Sequence, residues 1–236
     1  MALPKLNVPK YKTNLPSTGK VVNYRPFLVK EEKLLLIATE TGNQADLVRA
    51  IKEILSNCTD LKDVNSLSTF DLEFLFLKIR TKSVGENVEV TVTCPDDNET
   101  EVAVSIPLDE INVVKDKKHK TELKLSDEII ITMGYPSVET FVTMNFDTEQ
   151  SQVDQLFEMA ASCIETIADA NQVYECKDST KQELLEFFDQ LSTKQFVMIQ
   201  EFFETMPKLS HKVKVTNPNT GVESEVVLEG LASFFA

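Results

Sequence analysis

Glycine is scarce in this chain, six in 236 residues, and none of the six falls in a G-x-G-x-x-G or G-x-x-x-x-G-K-S/T arrangement. Backbone N–H groups cradle phosphates only where glycine lets the main chain come close, so the common nucleotide-binding loops are excluded and no cofactor is expected. Histidine is sparser still. His119 lies in a lysine-rich stretch and His211 beside Ser210; two isolated imidazoles, both expected at the surface, make neither a proton relay nor a metal cluster. Basic residues are in deficit: 24 Lys+Arg face 38 Asp+Glu, a formal charge of −14. Such a surface repels a phosphate backbone, which argues against a nucleic-acid partner. No window approaches the ~18 uninterrupted apolar residues of a membrane span. The start, Met1-Ala-Leu-Pro-Lys5, lacks the charged-then-apolar pattern of a secretory signal, so a cytosolic protein is expected. Cys58, Cys94, Cys163 and Cys176 are widely scattered, which suits reduced thiols better than a disulfide framework.

What the chain does have is 42% hydrophobic residues, enough to build a real core. The segments Val8–Leu15 and Lys20–Tyr24 flank Pro16-Ser-Thr-Gly19 and read as a hairpin. An apolar-charged stretch from Pro26 to Thr41 stops at Gly42, and Leu47, Ile51, Ile54, Leu55 and Cys58 then share one helical face. A third helix is predicted from about Thr69 to Lys82. The period then changes from helix to strand. Val88, Val90 and Val92 alternate with polar residues, as do Val102, Val104 and Ile106 across the intervening turn, predicting an antiparallel hairpin. Lys115 to Leu125 reads as a loop running into a strand, and Glu128 to Met133 as a strand.

Beyond Asp147 the helical period returns, with Val153, Leu156, Phe157, Ala160, Ile164 and Ile167 on one face. Two shorter helices carry capping-box signatures, Thr180 with Glu183 and Ser192 with Gln195. Val213, Val215 and Val226–Leu228 predict a second hairpin before the apolar tail Leu231–Ala236. The expected fold class is therefore α+β, helical segments with small antiparallel β-hairpins, in a helix-then-hairpin plan used twice, residues 1–136 and 137–236. A faint echo links Thr93-Cys-Pro95 and Glu101-Val102 with Thr216-Asn-Pro218 and Glu225-Val226, one residue being inserted in the second copy.

Cys94 precedes Pro95 at a hairpin tip, where a zinc ribbon would set a C-P-x-C pair to supply half of a tetrahedral site. Asp97 stands where the second thiolate should be, and the echoed turn has Asn217 and Thr220, so no metal site is expected. Asp96-Asp97-Asn98-Glu99 lacks the alternating ligands and central glycine of a calcium loop. The run Lys115–Lys120 reads as a solvated loop. Seven of the fourteen phenylalanines fall in the last fifty residues. Phe187 adjoins Phe188 and Phe203 adjoins Phe202, so one buried stripe cannot hold them all; Phe187, Phe203, Phe234 and Phe235 are the candidate partner-binding residues.

Tyr24–Leu36 (YRPFLVKEEKLLL), Thr69–Gly85 (TFDLEFLFLKIRTKSVG) and Glu201–His211 (EFFETMPKLSH) give the chain its clearest likeness. In their combination and order they resemble the baseplate hub and hub-assembly proteins of T-even-type contractile-tailed bacteriophages. The resemblance implies a hub subunit or chaperone-like assembly factor that binds other phage baseplate hub proteins in the host cytoplasm, and in the virion baseplate if it is retained there. It carries over no catalytic residues. Relatives in the family carry C-P-x-C turns where this chain has Cys94-Pro-Asp-Asp97 and Asn217-Pro-Asn-Thr220, so the departure sets aside a family zinc role. Two other readings stand beside this one: a host-directed binding module using the acidic surface, and an enzyme whose site is assembled from scattered carboxylates. Direct association with hub proteins separates the first reading from the second, and turnover on a substrate panel would reveal the third.

Overall fold

A computed structural model describes residues 7–85, 87–146 and 152–234. Tyr11–Asn14 (β1) and Val21–Tyr24 (β2) pair antiparallel, Tyr11 opposite Tyr24, as the turn signal between them predicts. Helix Val29–Thr41 (α1) starts at Leu28, which offers no side-chain acceptor; the Glu31 carboxylate takes the Leu28 N–H at 2.8 Å instead. Glu31 is fully buried. Burial alone would raise its pKa, but hydrogen bonds from Arg25, the Leu28 N–H and Lys30 hold it below the ordinary value. The helix stops at Gly42, whose φ of 64° lets its N–H turn back to the Thr39 carbonyl at 3.1 Å. In Gln44–Cys58 (α2) the Asn43 side chain caps the start, accepting the Ala45 N–H at 2.9 Å, and Ile51, Ile54, Leu55 and Cys58 are buried.

Thr69–Thr81 (α3) buries Phe70, Leu72, Phe74, Leu75, Phe76, Leu77 and Ile79, positions that circle the helix. A helix apolar all round belongs in the middle of its unit. Two carboxylates ride inward with it. Asp71, 1% exposed, accepts the Ser17 N–H at 3.1 Å and the Ser17 hydroxyl, and Glu73 accepts the Leu231 N–H at 3.0 Å. The same helix therefore anchors the first hairpin and the last turn of the chain.

Asn87–Thr93 (β3) and Glu101–Pro107 (β4) form the predicted hairpin, Val90 opposite Val104 and Val92 opposite Val102. Asn112–Val114 (β5) was not foreseen. Glu122–Lys124 (β6) and Ile130–Met133 (β7) follow, then the unforeseen helix Val138–Phe146 (α4) and Gln152–Ser162 (α5). Helical phase predicts Ile164 and Ile167 on the face of α5, and the structure corrects this: both lie in the strand Ile164–Ala168 (β8). The helix ends at Ser162, and the Gly134 N–H donates to the Cys163 carbonyl at 2.6 Å, drawing the β-branched run that follows into a ladder with β7. Val173–Glu175 (β9) completes a sheet of order β6-β7-β8-β9. Helices Lys181–Asp189 (α6) and Thr193–Thr205 (α7) begin with both predicted capping boxes, Thr180 with Glu183 and Ser192 with Gln195. Lys208–Thr216 (β10) pairs with β5 on one side and with Glu223–Glu229 (β11) on the other, before a 3-10 turn over Leu231–Phe234.

The contacts do not divide the chain at residue 136. One unit takes in the chain up to Val64, Phe70–Val114 and everything from Lys208; the other takes in Asn65–Thr69 and Lys115–Pro207. The physical reason is the pairing of Lys208 with Val114, which brings the C-terminal hairpin back to the N-terminal unit and makes the larger part of the second unit, Lys115–Pro207, an insertion between two neighbouring strand residues. The core of the inserted unit gathers Leu123, Ile131, Met133, Ala160, Ile164, Phe188, Ile199 and Phe202.

His119 also departs from expectation, since it is 8% exposed inside that unit. Its Nδ1 lies 3.1 Å from Thr205 Oγ1 and its Nε2 3.0 Å from the Tyr135 hydroxyl. Thr205 spends its own proton on the Glu201 carbonyl at 2.6 Å, so it accepts from Nδ1–H, and Nε2 accepts from Tyr135. Burial, with Lys115 nearby, pushes the imidazole pKa below its ordinary value and keeps the ring neutral. A lysine-rich loop gave no sign of this because the partners lie 16 and 86 residues away in the chain.

Burial raises the pKa of Glu73, against the single N–H that lowers it. A group whose folded pKa is raised contributes stability below its unfolded pKa, near 4.5, and loses it as pH rises through the folded value. Glu73→Gln keeps an oxygen for Leu231 without the buried charge. Thermal melting from pH 4 to 8 should show this variant losing less stability than the parent as the pH rises.

Candidate functional site

Two places join side chains that the sequence singles out. The first is where the tips of the β3–β4 and β10–β11 hairpins meet. The Cys94 N–H donates to the Thr100 carbonyl at 2.8 Å, and Asn98 N–H to the Cys94 carbonyl at 2.9 Å. The second tip repeats the pattern, Asn217 N–H to Val222 at 2.9 Å and Gly221 N–H to Asn217 at 2.8 Å. Asn98 and Gly221, each four residues on, both have positive φ, 56° and 74°. The two turns are thus related in conformation as well as in sequence, with one correction. Thr93 faces Glu101 and Thr216 faces Glu223, so the counterpart of Glu101 is Glu223, not Glu225, and the second turn is one residue shorter rather than longer.

Between the tips, the buried Asn217 amide donates to both oxygens of Asp96 at 3.1 Å and to Asp97 Oδ2 at 2.8 Å. The Thr220 hydroxyl donates to Asp96 Oδ2 at 2.5 Å, and the Thr100 hydroxyl to Asp97 Oδ2 at 2.5 Å. Asn219 Nδ2 donates to Thr100 Oγ1 at 3.0 Å. The hydrogen bond from Thr100, then its N–H and that of Glu99, and finally Asn217 hold the Asp97 carboxyl well below the usual carboxylate range; Thr220 and then Asn217 lower the pKa of Asp96. Their contribution is present above the ordinary carboxylate pKa and fades as pH falls through the folded values.

The donor set of this clasp does not suit zinc. Cys94 is the one sulfur among Cys94, Asp97, Asn217 and Thr220, and it is fully buried, with desolvation followed by the charges of Asp96 and Asp97 pushing its pKa up. The oxygens of Asp97 are already accepting hydrogen bonds. A tetrahedral site needs deprotonated, available ligands, and here direct hydrogen bonds do the joining. The remaining cysteines are free, buried thiols, with Cys58 pushed up to about 11 and Cys163 up to about 12 by burial, which disfavours the nucleophilic thiolate.

The second place is an apolar groove of about 190 Å³ between α5 and α7, lined by Leu156, Ala160, Phe196, Ile199, Phe203 and Glu204, with Gln200 at its edge. Beneath it Phe157 stacks on Phe196 at 5.0 Å and meets Phe188 edge-on at 5.4 Å, so the groove floor is held by interlocked rings. Leu156 on α5 is 44% exposed and Val197 on α7 43%. Glu201 and Glu204 are exposed on the same helix.

The four candidate phenylalanines do not form one surface. Phe203 is half-buried in the groove wall, edge-on to Phe202 at 5.2 Å. Phe187 is half-buried against the core of the same unit. Phe234 belongs to the other unit and is fully buried, which takes it out of any free surface; its backbone closes a 3-10 turn that drives the ring inward. Phe235 lies outside the described residues. Leu156 and Phe196 were missed as surface candidates, although the apolar face of α5 pointed to the first.

Nearly the whole length of the chain has relatives. The family described as T4 bacteriophage base plate protein matches residues 8–236. The baseplate hub assembly protein gp26 of Enterobacteria phage T4 is 25% identical over 227 residues, covering 96% of this chain and 98% of that protein. No solved structure matches.

Two outcomes follow from the clasp. Asn217→Ala should destabilise the protein, because it removes the buried amide that shapes its own turn and joins it to Asp96 and Asp97. Asn217→Asp should cost more at pH 7 by adding a third carboxylate, as read from denaturant unfolding of both variants. Purified protein should contain far less than one equivalent of zinc by elemental analysis, and chelators should leave its melting unchanged; stoichiometric zinc that survives dialysis would show that other ligands are used.

Proposed function

The chain belongs to the T4 bacteriophage base plate protein family, and from that footing we propose that it serves in building the hub of the phage tail baseplate, by binding other hub proteins and not by covalent chemistry. The observation that carries this reading is the likeness to a hub assembly protein across 96% of one chain and 98% of the other. The work is done in the host cytoplasm during tail assembly. No helix among the described residues is long and apolar enough to cross a membrane.

The groove between α5 and α7 is the surface proposed for a hub partner, with Phe203 in its wall and Phe187 on the neighbouring helix. Aromatic rings held rigid by their neighbours make strong anchors, since little side-chain entropy is lost when a partner covers them. An acidic side chain in its lining, Glu204, favours a partner segment carrying basic residues beside its apolar ones.

The intact chain co-expressed with the other hub proteins should co-purify with at least one of them. Phe203→Ala should weaken that binding by roughly 2 kcal/mol, about thirtyfold, and Leu156→Glu should weaken it without lowering the melting temperature, because Leu156 is exposed. Failure of any hub protein to co-purify with the parent would sink the assembly reading. Normal binding by both variants would sink the groove alone.

A further inference from the structure

The outer face of α1 is apolar where a surface helix should be polar. Val29 is 80% exposed, Leu36 59% and Ile37 50%, while the opposite face, Glu31 and Ala38, is buried. At 100° per residue Val29, Lys33, Leu36, Ile37 and Glu40 share one side of the helix. Neither Lys33 nor Glu40 has an ion pair or hydrogen bond to a side chain among the described residues.

We propose that this face binds a second copy of the chain, α1 against α1 in antiparallel orientation, with Leu36 and Ile37 at a two-fold axis and Lys33 of each copy paired with Glu40 of the other. The charge pattern selects this occupant. Lys33 and Glu40 lie equally far from the midpoint between Leu36 and Ile37, so a two-fold axis there sets each opposite its counter-ion, twice per dimer. Parallel pairing would instead set lysine beside lysine and glutamate beside glutamate. The two charges of this face, Lys33 and Glu40, also balance. On a chain of net charge −14 that balance matters, because two copies repel wherever their acidic surfaces face each other. A single helix pair makes a small interface, so the dimer should be weak and concentration-dependent.

Sedimentation velocity of the full chain from about 1 to 100 µM should show reversible monomer–dimer exchange. Lys33→Glu and Glu40→Lys should each weaken self-association by at least about tenfold, by setting like charges together. The double variant carrying both changes should dimerise as the parent does, and the two single variants mixed together should form a mixed dimer, since their charges then complement across the axis. Both residues are exposed, so thermal melting should stay unchanged throughout. A parent that remains monomeric over this range overturns the proposal. So does a dimer insensitive to either single change, or a double variant that fails to recover.

Discussion

The N-terminal unit depends on one helix that has no outside. Because α3 is apolar around its circumference, it is stable only if other segments cover every side, and the segments available come from opposite ends of the sequence. Burying Asp71 and half-burying Glu73 on that helix would be unfavourable without donors. The donors come from Ser17 in the first hairpin and Leu231 in the last turn, so the requirement to satisfy Asp71 and Glu73 ties both ends of the chain to the centre. The Phe27 N–H, bonded to Ser83 Oγ at 2.9 Å just past the end of the helix, fixes the approach to α1 in the same way. Hydrophobic burial supplies the drive, and these few polar contacts specify which segment goes where.

Directed hydrogen bonds play the same part at the hairpin tips. Two ladders of 7 residue pairs each carry cross-strand valine contacts, Val90 with Val104 and Val92 with Val102 in one and Val213 with Val226 in the other, which is non-directional packing and does little to orient one tip against the other. Asn217 supplies the orientation. It is buried, its oxygen accepts the N–H groups of Asn219 and Thr220 within its own turn, and its nitrogen reaches the two aspartates of the other. One side chain thus shapes one loop and joins it to the next. In a chain that carries one thiol rather than four at these positions, this clasp does mechanically what a bound metal would do, and it does so with ordinary polar side chains.

The surfaces assigned to binding have a common origin in helix geometry. A helix bearing more apolar residues than one core-facing stripe can take must leave some outside. On α7 the excess appears as the groove wall around Phe203, and on α1 as the stripe through Leu36 and Ile37. Their charged neighbours differ: Glu204 alone in the lining of the first, lysine and glutamate in self-complementary spacing on the second. The first suits a different, basic partner and the second a copy of itself, which fits a protein that works by association.

Local chemistry was enough to locate most elements. The helix stop at Gly42, the capping boxes at Thr180 and Ser192 and the alternating valines of two hairpins each depend on residues within a few positions of one another, so they are legible in the sequence. The sequence also carried the likeness between the two hairpin turns and the surplus of C-terminal phenylalanines. What it could not decide was anything resting on distant pairing. Ile164 and Ile167 continue the helical period of α5, yet a carbonyl–amide contact with Gly134 and the open edge of β7 make them a strand. His119 reads as a surface residue until Tyr135 and Thr205 close over it. Phe234 reads as a terminal anchor until its unit buries it. The boundary between units moved for the same reason, because Val114 meets Lys208 across an insertion of more than ninety residues. Periodicity and capping energies act along the chain, whereas burial and strand pairing depend on which segments meet, and only the folded chain settles that.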